Sequence, residues 1–110
     1  MVRCIFFRHV FQHSLVFYKL SKPKEWQVQA TLLGAHQRPV YSVDWSHEHG
    51  GVVTGGGDNK VTVYMENASG EWNTIQEWDI GEEVNCVRWK NKTVAAADDL
   101  GRVHLWTFDV

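Results

Sequence analysis

The sequence is poor in cysteine and proline and has no long apolar run. Its 110 residues include only two prolines and two cysteines, Cys4 and Cys86. Two isolated thiols form no metal-ligand pair, and they indicate the reduced side chains of an intracellular protein. Arg3, Arg8 and two nearby histidines interrupt the apolar N-terminal segment, so it lacks the continuous core of a signal peptide. No segment approaches the roughly 20 apolar residues of a membrane span.

An excess of charge of either sign is also missing. The formal net charge is -2 at pH 7, with 22% charged and 44% hydrophobic residues. This composition is typical of a globular protein, and it gives no electrostatic reason to expect a nucleic acid or a membrane as partner. We therefore expect the protein to bind neither a nucleic acid nor a membrane.

Short runs of valine, isoleucine, tryptophan and tyrosine, broken by glycine, asparagine and aspartate, predict an all-β chain. No stretch has the periodicity of a helix. The predicted strands cover residues 3–8, 14–19, 26–33, 40–45, 51–55, 61–65, 72–78, 84–89, 93–97 and 102–107.

The strands repeat with a period near 44 residues. The segment VYSVDW at 40–45 aligns with VNCVRW at 84–89. Tyr18, Tyr64 and Trp106 follow one another at a similar interval, each near the end of a strand rich in valine or leucine. A period of this length, with about four strands in each repeat, is that of a propeller blade.

Residues 34–64, GAHQRPVYSVDWSHEHGGVVTGGGDNKVTVY, resemble a WD repeat. His36 stands at the position of the family's Gly-His histidine, in Ala-His form. Ser42 and Asp58 follow at matching spacing, and Tyr64 stands where the family usually has tryptophan. The resemblance implies a buried structural tetrad in which Asp58 and Ser42 are both partners of His36. Because each such bond contributes only about 1 kcal/mol, the tetrad is expected to specify the geometry of the blade more than to add stability. The resemblance also implies that the tetrad has no catalytic role.

The second repeat departs further from the WD pattern. It has no Gly-His, Cys86 occupies the serine position and Leu100 occupies the aspartate position. Of the tetrad only Trp106, the WD-type aromatic residue, remains. We therefore expect this blade to hold together by packing alone.

The WD register predicts three segments. Residues 1–39 supply the outer strands of a preceding blade and a loop between blades, residues 40–78 a complete blade, and residues 79–110 a final blade without its outer strand. About two blades of an expected seven are then present. On this interpretation the start of the chain is a truncation and its end is a true C-terminus.

Other candidate sites are better explained by turns and packing. His47, Glu48 and His49 lie on a hairpin turn without further ligands at metal spacing, so we expect no metal site. Gly55-Gly56-Gly57 lacks the ending of a phosphate-binding loop, and these glycines are expected to let neighbouring blades approach closely. Asp98-Asp99 before a glycine is ordinary turn chemistry. Neither a catalytic residue nor a cofactor is predicted, and a hydrolase built on His36 and Asp58 would lack a nucleophile.

Several segments resemble one WD-repeat family more specifically. KEWQVQATLLGAHQRPVYSVDW, ENASGEW and the ending EEVNCVRW with AAADDLGRVHLW are similar to the C-terminal two blades of the WD-repeat proteins of cytosolic iron–sulfur protein assembly, the Ciao family. The likeness covers about residues 15–110. It implies a non-catalytic, seven-bladed scaffold that joins a helical-repeat adaptor and a small partner subunit to deliver clusters to apoproteins. It also implies a cytoplasmic location, with the nucleus as a further compartment.

A second assignment stays open. VNCVRW and PVYSVDW are also similar to propellers of histone-chaperone and chromatin complexes. That alternative predicts a WD-repeat subunit bound to histones or to a chromatin-assembly protein.

Overall fold

The computed structural model describes residues 2–5, 15–22, 25–32, 36–46 and 48–107. Ten strands account for the regular structure of this part of the chain. They are β1 (Val2–Ile5), β2 (Leu15–Lys22), β3 (Glu25–Leu32), β4 (Val40–Ser46), β5 (Gly51–Gly56), β6 (Lys60–Glu66), β7 (Trp72–Asp79), β8 (Val84–Lys90), β9 (Thr93–Asp98) and β10 (Val103–Thr107). The all-β prediction is confirmed.

The strands form three antiparallel sheets. The N-terminal sheet has the order β1-β2-β3, the central sheet β4-β5-β6-β7 and the last sheet β10-β9-β8. Each strand of the central sheet pairs with the strand that follows it in the chain, as the sequence predicted for residues 40–78. Successive antiparallel strands joined by tight turns are the arrangement of propeller blades, so the chain is a fragment of a WD-type β-propeller.

The central and last sheets repeat one another residue by residue. Ser42 pairs with Gly55 in the central sheet, and Cys86 pairs with Ala97 at the same place in the last sheet. A register shift follows the first residue of β4 and of β8 alike. The 44-residue offset found in the sequence is therefore a repeat of backbone geometry as well.

The hydrophobic core lies between the central and last sheets. It consists of buried valines from β5 and β6 and of apolar side chains from β8 and β9: Val53, Val61, Val63, Val84, Val87, Trp89, Val94 and Ala96. Val43 and Trp45 of β4 lie outside this core and are only half-buried. They alternate with Ser42 and Asp44, which face the last sheet, so they lie on the opposite side of β4.

A glycine sets the spacing of these two sheets. A Cβ atom at Gly55 would lie 2.9 Å from Cγ1 of Val87 and would also meet the side chain of Val84. Gly51 has the same role at the other end of β5, where a Cβ would lie 2.7 Å from the Trp89 ring. The close approach between neighbouring blades that the sequence predicted for residues 55–57 thus occurs at Gly55, which lies against the last sheet. Gly57 instead lies against Tyr41 of its own sheet.

No helix within the described ranges is long and apolar enough to span a membrane.

We predict that Gly55→Ala lowers the free energy of unfolding by about 1–3 kcal/mol, because the added methyl group overpacks the contact with Val84 and Val87. The measurement is urea unfolding followed by tryptophan fluorescence. Ala97→Val is the matched control, since position 97 corresponds to position 55 but lies on the far face of the last sheet. Equal effects of the two substitutions would contradict the proposed role of Gly55.

Candidate functional site

The central sheet contains a buried histidine–aspartate pair. His36 precedes β4 and is 2% exposed. Its Nδ1 lies 2.9 Å and 3.0 Å from the two carboxylate oxygens of Asp58, which follows β5 in the turn to β6. Because a carboxylate only accepts, Nδ1 carries the proton and donates it. Asp58 also accepts from the backbone N–H of Gln37, so it holds both the ring and its loop.

The hydroxyl partner of His36 is Thr54 on β5. Its Oγ1 lies 2.5 Å from Nε2 of His36 and donates to that nitrogen, which has no proton in this tautomer. The sequence assigned this position to Ser42, and that assignment is wrong. Ser42 is on β4, and its hydroxyl accepts a hydrogen bond from the backbone of the next sheet. The pairing of His36 with the adjacent strand β5 was missed because both hydroxyl residues fall inside valine-rich strands.

Tyr64 on β6 completes the cluster. Its ring is 5% exposed, and its hydroxyl forms a hydrogen bond with Thr54. Burial raises the pKa of Tyr64 to about 12, so the phenol stays protonated at neutral pH. His36, Thr54, Asp58 and Tyr64 thus connect the entry loop with β5, the following turn and β6. Both ring nitrogens of His36 are occupied by neighbours, so the cluster is built to hold strands together.

The side chains of Ser42 and Asp44 bind the last sheet and are not part of the His36 cluster. The Ser42 hydroxyl accepts from the backbone N–H of Val87 at 3.0 Å. Asp44 accepts from the N–H of Trp89 at 2.7 Å. Since β8 is the edge strand of its sheet, these amides lack a strand partner on that side. Two side chains of β4 therefore supply the acceptors that another strand would provide.

The last sheet has a polar network of its own, which the sequence did not predict. Asp98 ends β9 and is almost fully buried. Its Oδ1 accepts from the backbone N–H groups of Leu100 and Arg102. Its Oδ2 accepts from Nε of Arg102 at 2.7 Å and from Nε2 of His104 at 2.9 Å. The expectation that this blade holds by packing alone is therefore wrong.

The network was missed because it uses an aspartate two residues before the WD position. Leu100 occupies that position, as predicted, but contributes its backbone amide rather than a carboxylate. Burial by itself raises the pKa of the Asp98 carboxyl. The hydrogen bonds from His104, Arg102 and Leu100 outweigh that effect and hold its pKa well below its usual range.

Stacked aromatic rings connect the two sheets at their outer side. Trp106 on β10 lies face to face with Trp78 on β7, with ring centroids 4.3 Å apart. Trp106 also stacks on His104, whose ring nitrogen binds Asp98. The WD-type aromatic residue of the last sheet is thus in contact with the Asp98 network and with the central sheet.

In the turn between β8 and β9, one backbone carbonyl joins the two sheets. The carbonyl of Asn91 accepts from Nε2 of His49 at 2.8 Å and from Nε1 of Trp89 at 3.0 Å. The His49 and Trp89 rings stack on each other as well.

Within the described residues, no group of three or more histidine, cysteine, aspartate or glutamate side chains is placed to bind a metal ion. His47 lies outside the described residues.

We predict that Asp58→Ala lowers the stability of a protein containing this sheet by about 1–3 kcal/mol, because the buried donor of His36 loses its acceptor. Thr54→Val should lower the stability as well, because Nε2 of His36 then loses its hydrogen-bond donor. Asp58→Asn is the control, since an amide oxygen still accepts from Nδ1. Thermal or urea unfolding measures all three. An unchanged midpoint for Asp58→Ala would contradict the network.

A second prediction concerns acid stability. Asp98 has a folded pKa below its unfolded value of 3.8, so its ionised form stabilises the fold at neutral pH. This contribution declines as the pH falls from about 5 through the unfolded value toward the folded pKa. Asp98→Asn should therefore flatten the acid branch of a stability–pH profile, measured by urea unfolding between pH 2 and pH 7. Asp99→Asn, an exposed neighbour, is the control, and an identical acid branch for wild type and Asp98→Asn would contradict the prediction.

Three curated proteins similar to this chain have the same name. The chain is 38% identical over 96 residues to the probable cytosolic iron-sulfur protein assembly protein 1 of Candida dubliniensis, covering 80% of this chain and 25% of that protein. It is 39% identical over 89 residues to the protein of that name from Candida albicans, covering 74% and 23%. The Yarrowia lipolytica protein is 38% identical over 86 residues, covering 76% and 26%. No family model matches the chain.

The chain spans about a quarter of the length of the curated relatives that it matches. Over that quarter, the chain belongs to the family of the cytosolic iron–sulfur protein assembly protein 1.

Proposed function

We propose that the chain is part of a non-catalytic WD-repeat scaffold that acts in cytosolic iron–sulfur protein assembly. The observation that carries this proposal is its similarity to relatives of that name, at 38–39% identity over about three quarters of the chain. In this proposal the scaffold works in the cytoplasm. It joins a helical-repeat adaptor and a small partner subunit, and the complex delivers clusters to apoproteins.

The geometry supports a structural role for the polar clusters. His36 is buried, and both of its ring nitrogens are bound by Asp58 and Thr54. Asp98 is likewise surrounded by donors from its own turn and strand. Residues used in this way hold the blades rigid and leave the exposed loops and edges to contact other proteins.

A chimera tests the proposal in cells. The C-terminal part of the Candida albicans relative is replaced by the matching residues of this chain, and the chimera is produced in cells depleted of their own assembly protein. We expect it to restore iron–sulfur cluster loading of cytosolic enzymes, measured by incorporation of radioactive iron. Mitochondrial iron–sulfur enzymes should be loaded equally with and without it. The chimera should also co-purify with the adaptor and the small partner.

Two controls make the result specific. The 110-residue chain alone should not restore loading, because it spans only about a quarter of the length of the relatives. A chimera carrying Asp58→Ala should restore less, since its central sheet loses the bond to His36. Recovery of histones or a chromatin-assembly subunit, with cluster loading unrestored, would move the assignment to the chromatin alternative.

A further inference from the structure

Strand β7 is the outer edge of the central sheet. Among the described strands it pairs with β6 alone, whereas β4, at the other end of the sheet, contacts the last sheet. Five consecutive residues of β7, 73–77, are exposed. An exposed edge offers backbone N–H and C=O groups to a strand of another molecule, and such edges lead to aggregation unless a local feature blocks the pairing.

One residue of β7 is extra in the ladder with β6. Thr74 pairs with Tyr64. Gln76 pairs with Val63, the residue directly before Tyr64. Two positions of β7 therefore oppose one position of β6, and Ile75 is the additional residue of a β-bulge.

The bulge divides the edge of β7 into two short segments. Regular pairing covers residues 72–74 and 76–79, which are three residues before Ile75 and four after it. A bulge bends its strand and increases the local twist, so an incoming strand could follow only one of these segments. Because strands typically have five or six residues, neither segment offers a partner of ordinary length.

The contacts of β7 do not require the extra residue. Before the bulge, the Trp72 ring lies 5.9 Å from the Trp45 ring, and after it Trp78 stacks on Trp106. The two residues that flank Ile75 pair with consecutive residues of β6. Deletion of Ile75 would therefore close the ladder and leave both tryptophans on their present faces. The Ile75 side chain is 43% exposed, so the core does not depend on it.

We propose that the bulge at Ile75 is a guard that keeps β7 from pairing with a strand of another molecule. With the bulge, an added strand finds only three or four residues in regular order, whereas β7 without Ile75 would present seven. The strand most readily excluded is β7 of a second copy, because two identical edges can pair antiparallel about a two-fold axis. The guard acts whatever partner the scaffold binds.

Disulfide cross-linking tests the guard. The parent is the 110-residue chain with Cys4→Ser, Cys86→Ser and Gln76→Cys, and the test chain additionally lacks Ile75. Gln76 is the middle one of the seven remaining residues, so it would lie opposite itself when two such edges pair antiparallel. Directly opposed Cα atoms are about 4.5–5.5 Å apart, which suits a disulfide. Under mild oxidation we expect at least about tenfold more disulfide dimer from the chain without Ile75.

Two control chains separate strand pairing from apolar association. Ile75→Thr removes the exposed apolar side chain but keeps the bulge, so this chain should cross-link at the level of the parent. Deletion of Ile75 removes the same side chain, so a purely apolar association should fall rather than rise. Glu48→Cys in place of Gln76→Cys puts the thiol in the exposed turn before β5, where cross-linking should be equal with and without Ile75.

Urea unfolding supplies the second measurement. Because both tryptophan contacts remain, the chain without Ile75 should unfold at the midpoint of the parent or at a higher one. A lower midpoint would mean that the sheet requires the extra residue, which overturns the proposal. Equal amounts of dimer from the parent and the deleted chain, or an equal rise for Ile75→Thr, would overturn it as well.

Discussion

The contact of strand β8 with strands β4 and β5 of the central sheet is the constraint on which the rest of the structure depends. Two features act together there. Gly55 lets the valines of β8 approach the backbone of β5, and the side chains of Ser42 and Asp44 bind the free amides of Val87 and Trp89. The short distance brings the amides within reach of the side chains, and the paired amides make burial of that edge favourable. The core of valines and Trp89 fills the space that this contact defines.

Each of the two sheets contains a buried aspartate, and the groups that donate hydrogen bonds to its carboxylate differ between the sheets. In the central sheet Asp58 accepts from a histidine in the preceding loop, which in turn reaches a strand through Thr54. In the last sheet Asp98 accepts from Leu100 and Arg102 in the turn that follows it and from His104 on strand β10. The first solution connects distant parts of the sheet, whereas the second is local to one hairpin. A blade without the WD histidine can therefore still have a satisfied polar centre.

Much of the fold could be predicted from the sequence, because β-strand patterning and the 44-residue repeat can both be recognised in the order of residues along the chain. The antiparallel order of β4 to β7 follows from the short turns between these strands, and the pairing of His36 with Asp58 was implied by the resemblance to a WD repeat. The hydroxyl partner could not be chosen in that way. Ser42 and Thr54 both lie in strands beside the histidine. They differ in the face of the sheet to which their side chains point, and this cannot be seen from their spacing to His36. The Asp98 network was equally hidden, because its donors are two backbone amides and side chains that also suit a solvent-exposed turn.

The carbonyl of Asn91 has a consequence for how the chain can change in evolution. It accepts from His49 of one hairpin and from Trp89 of the next, so the lengths of both turns are tied to each other. An insertion in either turn would separate the donors from this acceptor. The turn between β6 and β7 is instead held from within, since the Asn67 side chain and backbone bind within residues 67–71. Length variation and added segments are thus tolerated at that turn and opposed at the other two, on the same edge of the molecule.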